Sequence, residues 1–576
     1  MLEKIIKILL VILLFSIAFI NSHLFDLVGI KLDFLYVNGN FEFTKVIYFN
    51  ILSSFIIFLY FIKSFFSDRE IKVPLFITFI FIILILSTLF SISPLVSFFG
   101  DNSKGHGLIM LINLLGLFIV INNQKKEFTN ILIKTFIFSA FFISILGIWQ
   151  YYIPSFDYGD LGNRAISSLG HPNYLVLFLL LSIPFLLNKI FNKKNYKYLF
   201  VLITITICLF LTKSVWGIII FILYCTYILN HKFKFIKNNY IFFITTLIIL
   251  ISIGITVFFT YPEKLQSFIS RFFIWSSTLD LIFLNPKNFL FGYGFDTLSL
   301  TFEKSKSIYL YIFENIGFTA DRPHNILLNI FYHTGFLGIS LFGYTLYIFI
   351  KYLIKEKKIK NEYYTHTIII FFIFTILNFA SIVSYLVFLL FVAKFTKKVQ
   401  IKYIEKVYLK YSLMLIISFI SIVGLYSSYN FYKAETYAFN KLYEKSIEIF
   451  KYNPDYYYSV GQYDKGLKYG YYKGEFYFYS KISSKLIDIE NNCTELTKNF
   501  PSPENYFYCG ELLEYLGKND LALYYYKNGL HLLPDLWNKD SNYYDNLFIK
   551  KFIDGKRFFS EKYSNLNSIL EKVKNN

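Results

Sequence analysis

Residues 74–89 read PLFITFIFIILILSTL, a run of sixteen residues without a charged side chain. A helix of this length approaches the thickness of a membrane hydrocarbon core, which is about 30 Å. Apolar runs of comparable length recur along most of the chain. We therefore predict an all-α fold, a polytopic membrane helix bundle with about 12 or 13 transmembrane helices.

The composition supports a membrane protein. Of the 576 residues, 55% are hydrophobic and only 16% are charged. Soluble domains carry about 25% charged residues, so an ordinary soluble protein is excluded. The predicted crossings are residues 5–20, 46–62, 74–89, 107–121, 135–149, 173–187, 199–211, 215–229, 240–260, 336–350, 365–380, 382–392 and 411–425.

Two pairs of neighbouring crossings are short for two passages through a membrane. Residues 199–229 and residues 365–392 each form either a helical hairpin or one tilted helix, and the choice decides the helix count. The charges on both flanks of each pair favour the hairpin.

The formal net charge of +19 does not predict a nucleic-acid partner, because the basic residues lie between the apolar runs. Positive charge in short loops orients a membrane protein with those loops in the cytoplasm. We therefore predict a multi-pass protein of the cytoplasmic (inner) membrane with its C-terminus outside. The Lys-rich loops lie around residues 63–72, 125–134, 189–197, 232–237, 351–360 and 394–410.

Two long segments fall on the predicted exterior side. The loop 261–335 is far longer than a connection requires, and such loops are usually functional or disordered. The nearly neutral tail forms the second segment. We predict a transmembrane domain over residues 1–428, with an exterior catalytic loop at 261–335, and an extracytoplasmic helical domain over residues 429–576.

The tail contains residues at tetratricopeptide-like spacings. In such a repeat, small residues let two antiparallel helices approach and a proline ends the second helix. A generic helical tail is the alternative, and either would hold a protein partner or a glycan. Cys493 and Cys509 are either free thiols or an exterior disulfide. The repeat-like positions are Tyr506, Cys509, Gly510, Leu513, Ala522, Tyr526, Gly529 and Pro534.

Polar residues on the predicted exterior side are candidates for a functional site, because such groups are costly at a membrane. His324 follows Arg322 and Pro323 directly before a predicted membrane helix. An imidazole can accept a proton from a hydroxyl at neutral pH, and guanidinium groups bind diphosphate oxygens. This favours transfer from a polyprenyl diphosphate to a hydroxyl. In the alternative reading, His324 caps the helix and Arg322 extends toward lipid headgroups.

Three sequence elements follow one another on this side, and in this order they resemble the O-antigen ligase and O-antigen polymerase superfamily. Members of that superfamily are multi-pass glycosyltransferases that use undecaprenyl-diphosphate-linked glycans. The resemblance covers about residues 91–392. The elements are Arg164 with SLGHPNY at 168–174; RFFIW at 271–275 with Asn285, Pro286 and FGYGF at 291–295; and His324 and Asn325 with GFLG at 335–338.

The resemblance implies a role for each matching residue. His324 is the expected base for the acceptor hydroxyl, and Arg271 is the expected diphosphate clamp. No metal and no cofactor is implied. Lys213 and Lys104 stand where relatives carry arginine. The expected substrate-binding residues are Arg164, Arg322, Lys213, Lys104, Asn173 and Asn325.

The leading hypothesis is a glycosyltransferase that moves a lipid-linked glycan onto a hydroxyl on the outer face of the cytoplasmic membrane. The acceptor is a lipid, a glycan or a protein, so ligase, polymerase and protein O-oligosaccharyltransferase remain open. A transporter or flippase of lipid-linked glycans is the main alternative from another class. A non-catalytic scaffold that recruits an envelope protein through the C-terminal helices is a third.

Overall fold

A computed structural model of the chain describes residues 1–20, 41–66, 71–101, 103–153, 164–233, 262–314, 318–355, 362–398, 402–462, 489–499, 501–533 and 566–574. These residues form helices and no strand, and one isolated bridge pairs Pro74 with Tyr403. The predicted all-α fold is confirmed. The predicted crossing at 240–260 and the predicted helix end at Pro534 lie outside the described residues.

The chain divides into two compact units, of which the first comprises residues 1–235, 290–296 and 324–452. Its buried apolar residues form one large core. The helices that lie wholly in this unit are Leu2–Ser16, Phe41–Phe65, Leu75–Leu89, Pro94–Phe99, Leu108–Asn122, Lys126–Tyr152, Pro172–Leu180, Ile183–Phe191, Lys197–Leu211, Val215–Phe233, Ile326–Lys355, Tyr363–Leu377, Ile382–Thr396, Val407–Phe439 and Tyr443–Ile449.

Six helices among the described residues are long and apolar enough to cross a membrane. Five shorter apolar helices accompany them. Each tight pair consists of two helices rather than one tilted helix, because Thr212 to Ser214 separate two helices in the first pair and Asn378 to Ser381 do so in the second. The six long helices are Phe41–Phe65, Lys126–Tyr152, Pro172–Asn192, Val215–Lys232, Ile326–Lys355 and Val407–Ala438.

The loops of the first unit meet in the two groups that the charge pattern predicts. In the Lys-rich group, the Asn123 side chain exchanges two hydrogen bonds of 2.9 Å with the backbone of Lys72. The Lys397 ammonium donates to the backbone oxygens of Ile121 and Gln124 at 3.0 and 2.8 Å. In the other group, Glu42 joins the turn before Ile382. The two ends are therefore distinct, and the cytoplasmic assignment of the Lys-rich end stays a prediction.

The second unit comprises residues 236–289, 297–323 and 453–576. It thus combines most of the predicted exterior loop with the tail. The short helix Pro286–Phe291 lies where the chain passes from this unit to the first. The predicted division into 1–428 and 429–576 stays a prediction. The other α-helices described in this unit are Pro262–Phe283, Leu298–Thr301, Leu310–Phe313, Pro454–Ser459, Ile489–Asn499, Pro503–Tyr515, Asn519–His531 and Leu566–Lys574.

Close helix packing in the tail depends on glycine. A Cβ atom on Gly510 would lie 2.4 Å from the Tyr526 ring, and one on Gly529 would lie 2.6 Å from the Phe507 ring. These contacts make Pro503–Tyr515 and Asn519–His531 an antiparallel hairpin. A disulfide joins Cys493 to Cys509 with a Cα–Cα distance of 5.7 Å. The assignment of this hairpin to a tetratricopeptide repeat stays a prediction.

Candidate functional site

His324 lies in a constrained backbone position at the start of the helix Ile326–Lys355. Its φ of +54° is in the left-handed region, which residues other than glycine seldom adopt. The Asn325 side chain caps the helix by accepting hydrogen bonds from the amides of Leu327 at 2.9 Å and Leu328 at 3.2 Å. The capping role that the sequence allowed for His324 therefore belongs to Asn325. The His324 ring instead lies 4.9 Å, centroid to centroid, from the ring of Phe379.

Phe379 connects two imidazoles of the first unit. It lies in the turn between Tyr363–Leu377 and Ile382–Thr396, and its ring is 5.1 Å from the ring of His171. The His171 Nδ1 atom accepts a hydrogen bond of 3.0 Å from the amide of Asn173. In the neutral ring, Nε2 then carries the proton. Sequence reasoning missed Phe379, because only the folded turn brings it to both histidines.

Three predicted substrate-binding residues meet at the turn Thr212 to Ser214. The Arg164 Nε atom donates to the backbone oxygen of Thr212 at 2.9 Å, and burial lowers the pKa of Arg164. The Ser214 hydroxyl donates to the Asn173 side-chain oxygen at 2.8 Å. Lys213 is exposed, has a φ of +50°, and places its ammonium 5.5 Å from the centroid of the Tyr151 ring. The structure thus brings Arg164, Asn173 and Lys213 together.

Lys104 belongs to a different loop of the first unit. It is buried, in a loop that folds around Asp296. The Asp296 Oδ2 atom accepts from the amides of Asp101 at 3.1 Å and His106 at 2.6 Å. The His106 Nε2 atom lies 2.9 Å from Glu42 Oε1, which also accepts from the amide of Ile382 at 2.6 Å. This loop is therefore tied to the same turn that carries Phe379.

The FGYGF segment packs against the helix that begins after His324. The amide of Tyr293 donates to the backbone oxygen of Tyr332 at 2.8 Å, and the two tyrosine rings stack with centroids 4.9 Å apart. The amide of Gly294 donates to the backbone oxygen of His333 at 3.2 Å. Gly335, with a φ of 63° and a ψ of −162°, breaks the helix at this contact. Two of the sequence elements are therefore joined in space.

Arg271 and Arg322 belong to the second unit. Burial lowers the pKa of Arg271 to about 10, whereas the negative charge of Glu314 raises it. Burial raises the pKa of Glu314, and a hydrogen bond from Ser270 and the charge of Arg271 lower it. The Arg322 Nε atom lies 3.4 Å from Asp321 Oδ2.

The helix Pro262–Phe283 also fixes the chain just before His324. Its Trp275 indole donates a hydrogen bond of 2.8 Å to the backbone oxygen of Pro323. The guanidinium of Arg271 and the segment that carries Arg322 are therefore held by one helix. Trp275 was noted in the sequence only as part of the RFFIW element.

The same helix is connected to the tail within the second unit. Phe273 stacks on Phe313, with ring centroids 5.8 Å apart. Tyr311 of the intervening helix Leu310–Phe313 is buried in the cluster that contains Cys493 and Cys509. The disulfide-bonded helices thus support the helix that carries Arg271. Sequence reasoning missed Tyr311, which has no distinguishing local pattern.

Among the described residues, no group of three or more His, Cys, Asp or Glu side chains is arranged to hold a metal ion.

A family model described as O-antigen ligase matches residues 199–343. No curated protein and no solved structure matches the chain. The matched span contains Lys213, Arg271, Arg322, His324 and Asn325, and it does not contain Lys104, Arg164 or Asn173. The match supports the O-antigen ligase superfamily and a glycosyltransferase-type multi-pass membrane protein.

Proposed function

We propose that this protein is a metal-independent glycosyltransferase of the O-antigen ligase type. It moves an oligosaccharide or polysaccharide from a polyprenyl (undecaprenyl) diphosphate carrier to a hydroxyl acceptor on the outer face of the cytoplasmic membrane. The observation that carries the proposal is that the matched span 199–343 contains both His324, in a constrained backbone position, and the helix that holds Arg271.

In the proposed reaction, His324 accepts the proton of the acceptor hydroxyl. The hydroxyl oxygen then forms a bond to the anomeric carbon of the donor glycan as the bond from that carbon to the diphosphate oxygen breaks. Negative charge grows on the departing polyprenyl diphosphate, and the guanidiniums of Arg271 and Arg322 offset it. Base catalysis of this kind contributes about 10²- to 10⁴-fold to the rate.

The cations of the first unit have a supporting role in this proposal. Arg164, Lys213 and Asn173 converge on one turn, where they bind the phosphate or sugar hydroxyls of the donor. Lys213 is an exposed point charge rather than a forked donor, so it would stabilise phosphate without fixing its orientation. Lys104 and Asn325 complete the proposed set, and Asn325 also keeps its capping bonds to the following helix.

The disulfide Cys493–Cys509 supports an extracytoplasmic tail, because disulfides persist in oxidising compartments. We propose that the tail positions the helix that carries Arg271, through Tyr311, and holds an envelope protein or the acceptor. The acceptor is proposed to be a lipid-linked core, a growing glycan or a protein.

Reconstitution with a polyprenyl-diphosphate oligosaccharide and candidate acceptors tests the proposal. Wild-type protein is expected to form a glycosylated acceptor, and His324→Ala is expected to lose most of that activity. His531→Ala in the tail is the matched control, because this histidine is exposed at a helix end. Transfer at the wild-type rate by His324→Ala would overturn the proposed base. Movement of the glycan across the bilayer without transfer would identify a transporter.

A further inference from the structure

A cavity in the first unit lies away from the residues described above. It has a volume of about 320 Å³. Its walls come from the helices Ile183–Phe191, Val215–Phe233 and Tyr363–Leu377. Lys232 and His231, at its edge, lie in the last turn of the helix Val215–Phe233, at the Lys-rich end of the unit.

The polar side chains of this cavity are cationic or neutral. The Lys232 ammonium donates to the backbone oxygen of Phe191 at 3.0 Å and lies 4.3 Å from the centroid of that ring. The His366 Nδ1 atom is 3.0 Å from the hydroxyl of Tyr224. His231 and Asn188 add further hydrogen-bonding groups. The described lining includes one lysine and two histidines but no Asp or Glu.

This chemistry suits a phosphate ester. A lysine ammonium attracts negative charge, and imidazole, amide and phenol groups supply hydrogen bonds to phosphate oxygens. The remaining wall is apolar and includes Pro184, Leu187 and Ile228. A ligand with a phosphate at one end and hydrocarbon at the other would satisfy both parts of the wall.

The surroundings favour a lipid over a free phosphate compound. The helix Val215–Lys232 is long and apolar enough to cross a membrane, and its last two residues, His231 and Lys232, are exposed and basic. If this helix crosses the hydrocarbon core, these two residues fall at its end, at the level of lipid headgroups. Basic pockets between transmembrane helices at such a level bind anionic headgroups.

We propose that this cavity binds the phosphate headgroup of an anionic phospholipid in the leaflet at the Lys-rich end of the helices. The proposal does not depend on glycosyl transfer, because none of its residues belongs to the proposed catalytic site. It assigns a function to His231, His366 and Lys232.

The experiment measures retained lipid on the full-length protein by native mass spectrometry, with phosphatidylglycerol or phosphatidylcholine added to the detergent. Wild-type protein is expected to retain phosphatidylglycerol preferentially. A lysine near a headgroup adds about fivefold in affinity, so His231→Gln/Lys232→Gln should bind at least about fivefold more weakly. Lys193→Gln is the matched control, since Lys193 is exposed in the same Lys-rich group and does not line the cavity.

Both replaced side chains are exposed, so the variant is expected to fold, and its gel-filtration profile should match the wild type. Equal retention of the two lipids by the wild type would overturn the proposal. An equal loss of phosphatidylglycerol in Lys193→Gln and the double variant would also overturn it. Displacement of phosphatidylglycerol by millimolar inorganic phosphate would assign the cavity to free phosphate and refute the lipid.

Discussion

Replacing Gly335 by alanine tests the contact between the FGYGF segment and the helix Ile326–Lys355. At Gly335 a Cβ atom would lie 2.4 Å from the carbonyl carbon and oxygen of Leu290 and 2.5 Å from the amide nitrogen of Gly292. All three atoms belong to backbone, which cannot rotate away as a side chain can. The new methyl group must therefore separate the two segments.

The expected cost has two sources. The φ of 63° and ψ of −162° fall in a region that is essentially restricted to glycine, where another residue costs about 1–3 kcal/mol. Overpacking adds about 1–3 kcal/mol. Gly343→Ala is the matched control on the same helix, because a Cβ atom there has no neighbour within 4 Å. Removing a helical glycine should stabilise by about 1 kcal/mol.

The assay is thermal unfolding of both variants in the same mild detergent, with the monodisperse fraction of each measured by gel filtration. Gly335→Ala is expected to melt at a lower temperature than the wild type, and Gly343→Ala at an equal or higher one. Similar melting temperatures for the two variants would refute the reasoning. They would mean that the FGYGF segment does not pack against Gly335.

Three further predictions concern single contacts. Asn325→Ala should lower the free energy of unfolding by about 1 kcal/mol because the helix cap is lost, whereas Asn325→Ser should keep the cap. Equal melting temperatures for the two variants would contradict the capping role. Burial raises the pKa of Glu314, so the folded protein favours the protonated carboxyl group. Glu314 therefore stabilises the fold most below its ordinary pKa of about 4.3, and this stabilisation is lost as the pH rises through the pKa of the folded state. Glu314→Gln should therefore flatten the dependence of the melting temperature on pH, and an unchanged profile would contradict this. Replacing both Cys493 and Cys509 by serine should destabilise the tail by about 3 kcal/mol, because the disulfide closes a loop with a sequence separation of 16. Proteolysis of the second unit measures the effect, and unchanged protection from the protease would argue against a stabilising disulfide.

The helices were predictable because a membrane leaves the backbone few choices. Within lipid, each segment must satisfy its own hydrogen bonds, so long apolar runs such as residues 74–89 become helices. Loop charge also grouped loops that the structure joins by hydrogen bonds, such as those of Lys72 and Asn123, and the side of the membrane on which they lie stays a prediction. Loop charge further favoured two helices over one at residues 199–229 and 365–392, and the structure has two helices in each segment.

The site was predictable only in part. Arg164, Asn173 and Lys213 were selected one by one as exterior polar residues, and the turn at Thr212 that joins them follows from the hairpin. Phe379 escaped notice because an aromatic residue in an apolar chain carries no local signal. Its ring contacts His324 only because residues far apart in sequence pack against one turn.

Two conformational features also lay beyond the sequence. Whether His324 or Asn325 caps the following helix depends on backbone angles, and the left-handed φ of His324 decides it. The support of the helix Pro262–Phe283 by the tail depends on Tyr311, whose partners lie nearly two hundred residues away in sequence. Spacing alone cannot reveal such contacts.

The most direct test separates donor binding from transfer in one set of reconstituted samples. The dissociation constant of a polyprenyl-diphosphate oligosaccharide and the single-turnover transfer rate are measured for wild type, His324→Ala and Arg271→Ala. We expect His324→Ala to bind the donor like the wild type and to transfer about 10²- to 10⁴-fold more slowly, and Arg271→Ala to bind the donor more weakly. Transfer at the wild-type rate by both variants would contradict the proposed division of roles.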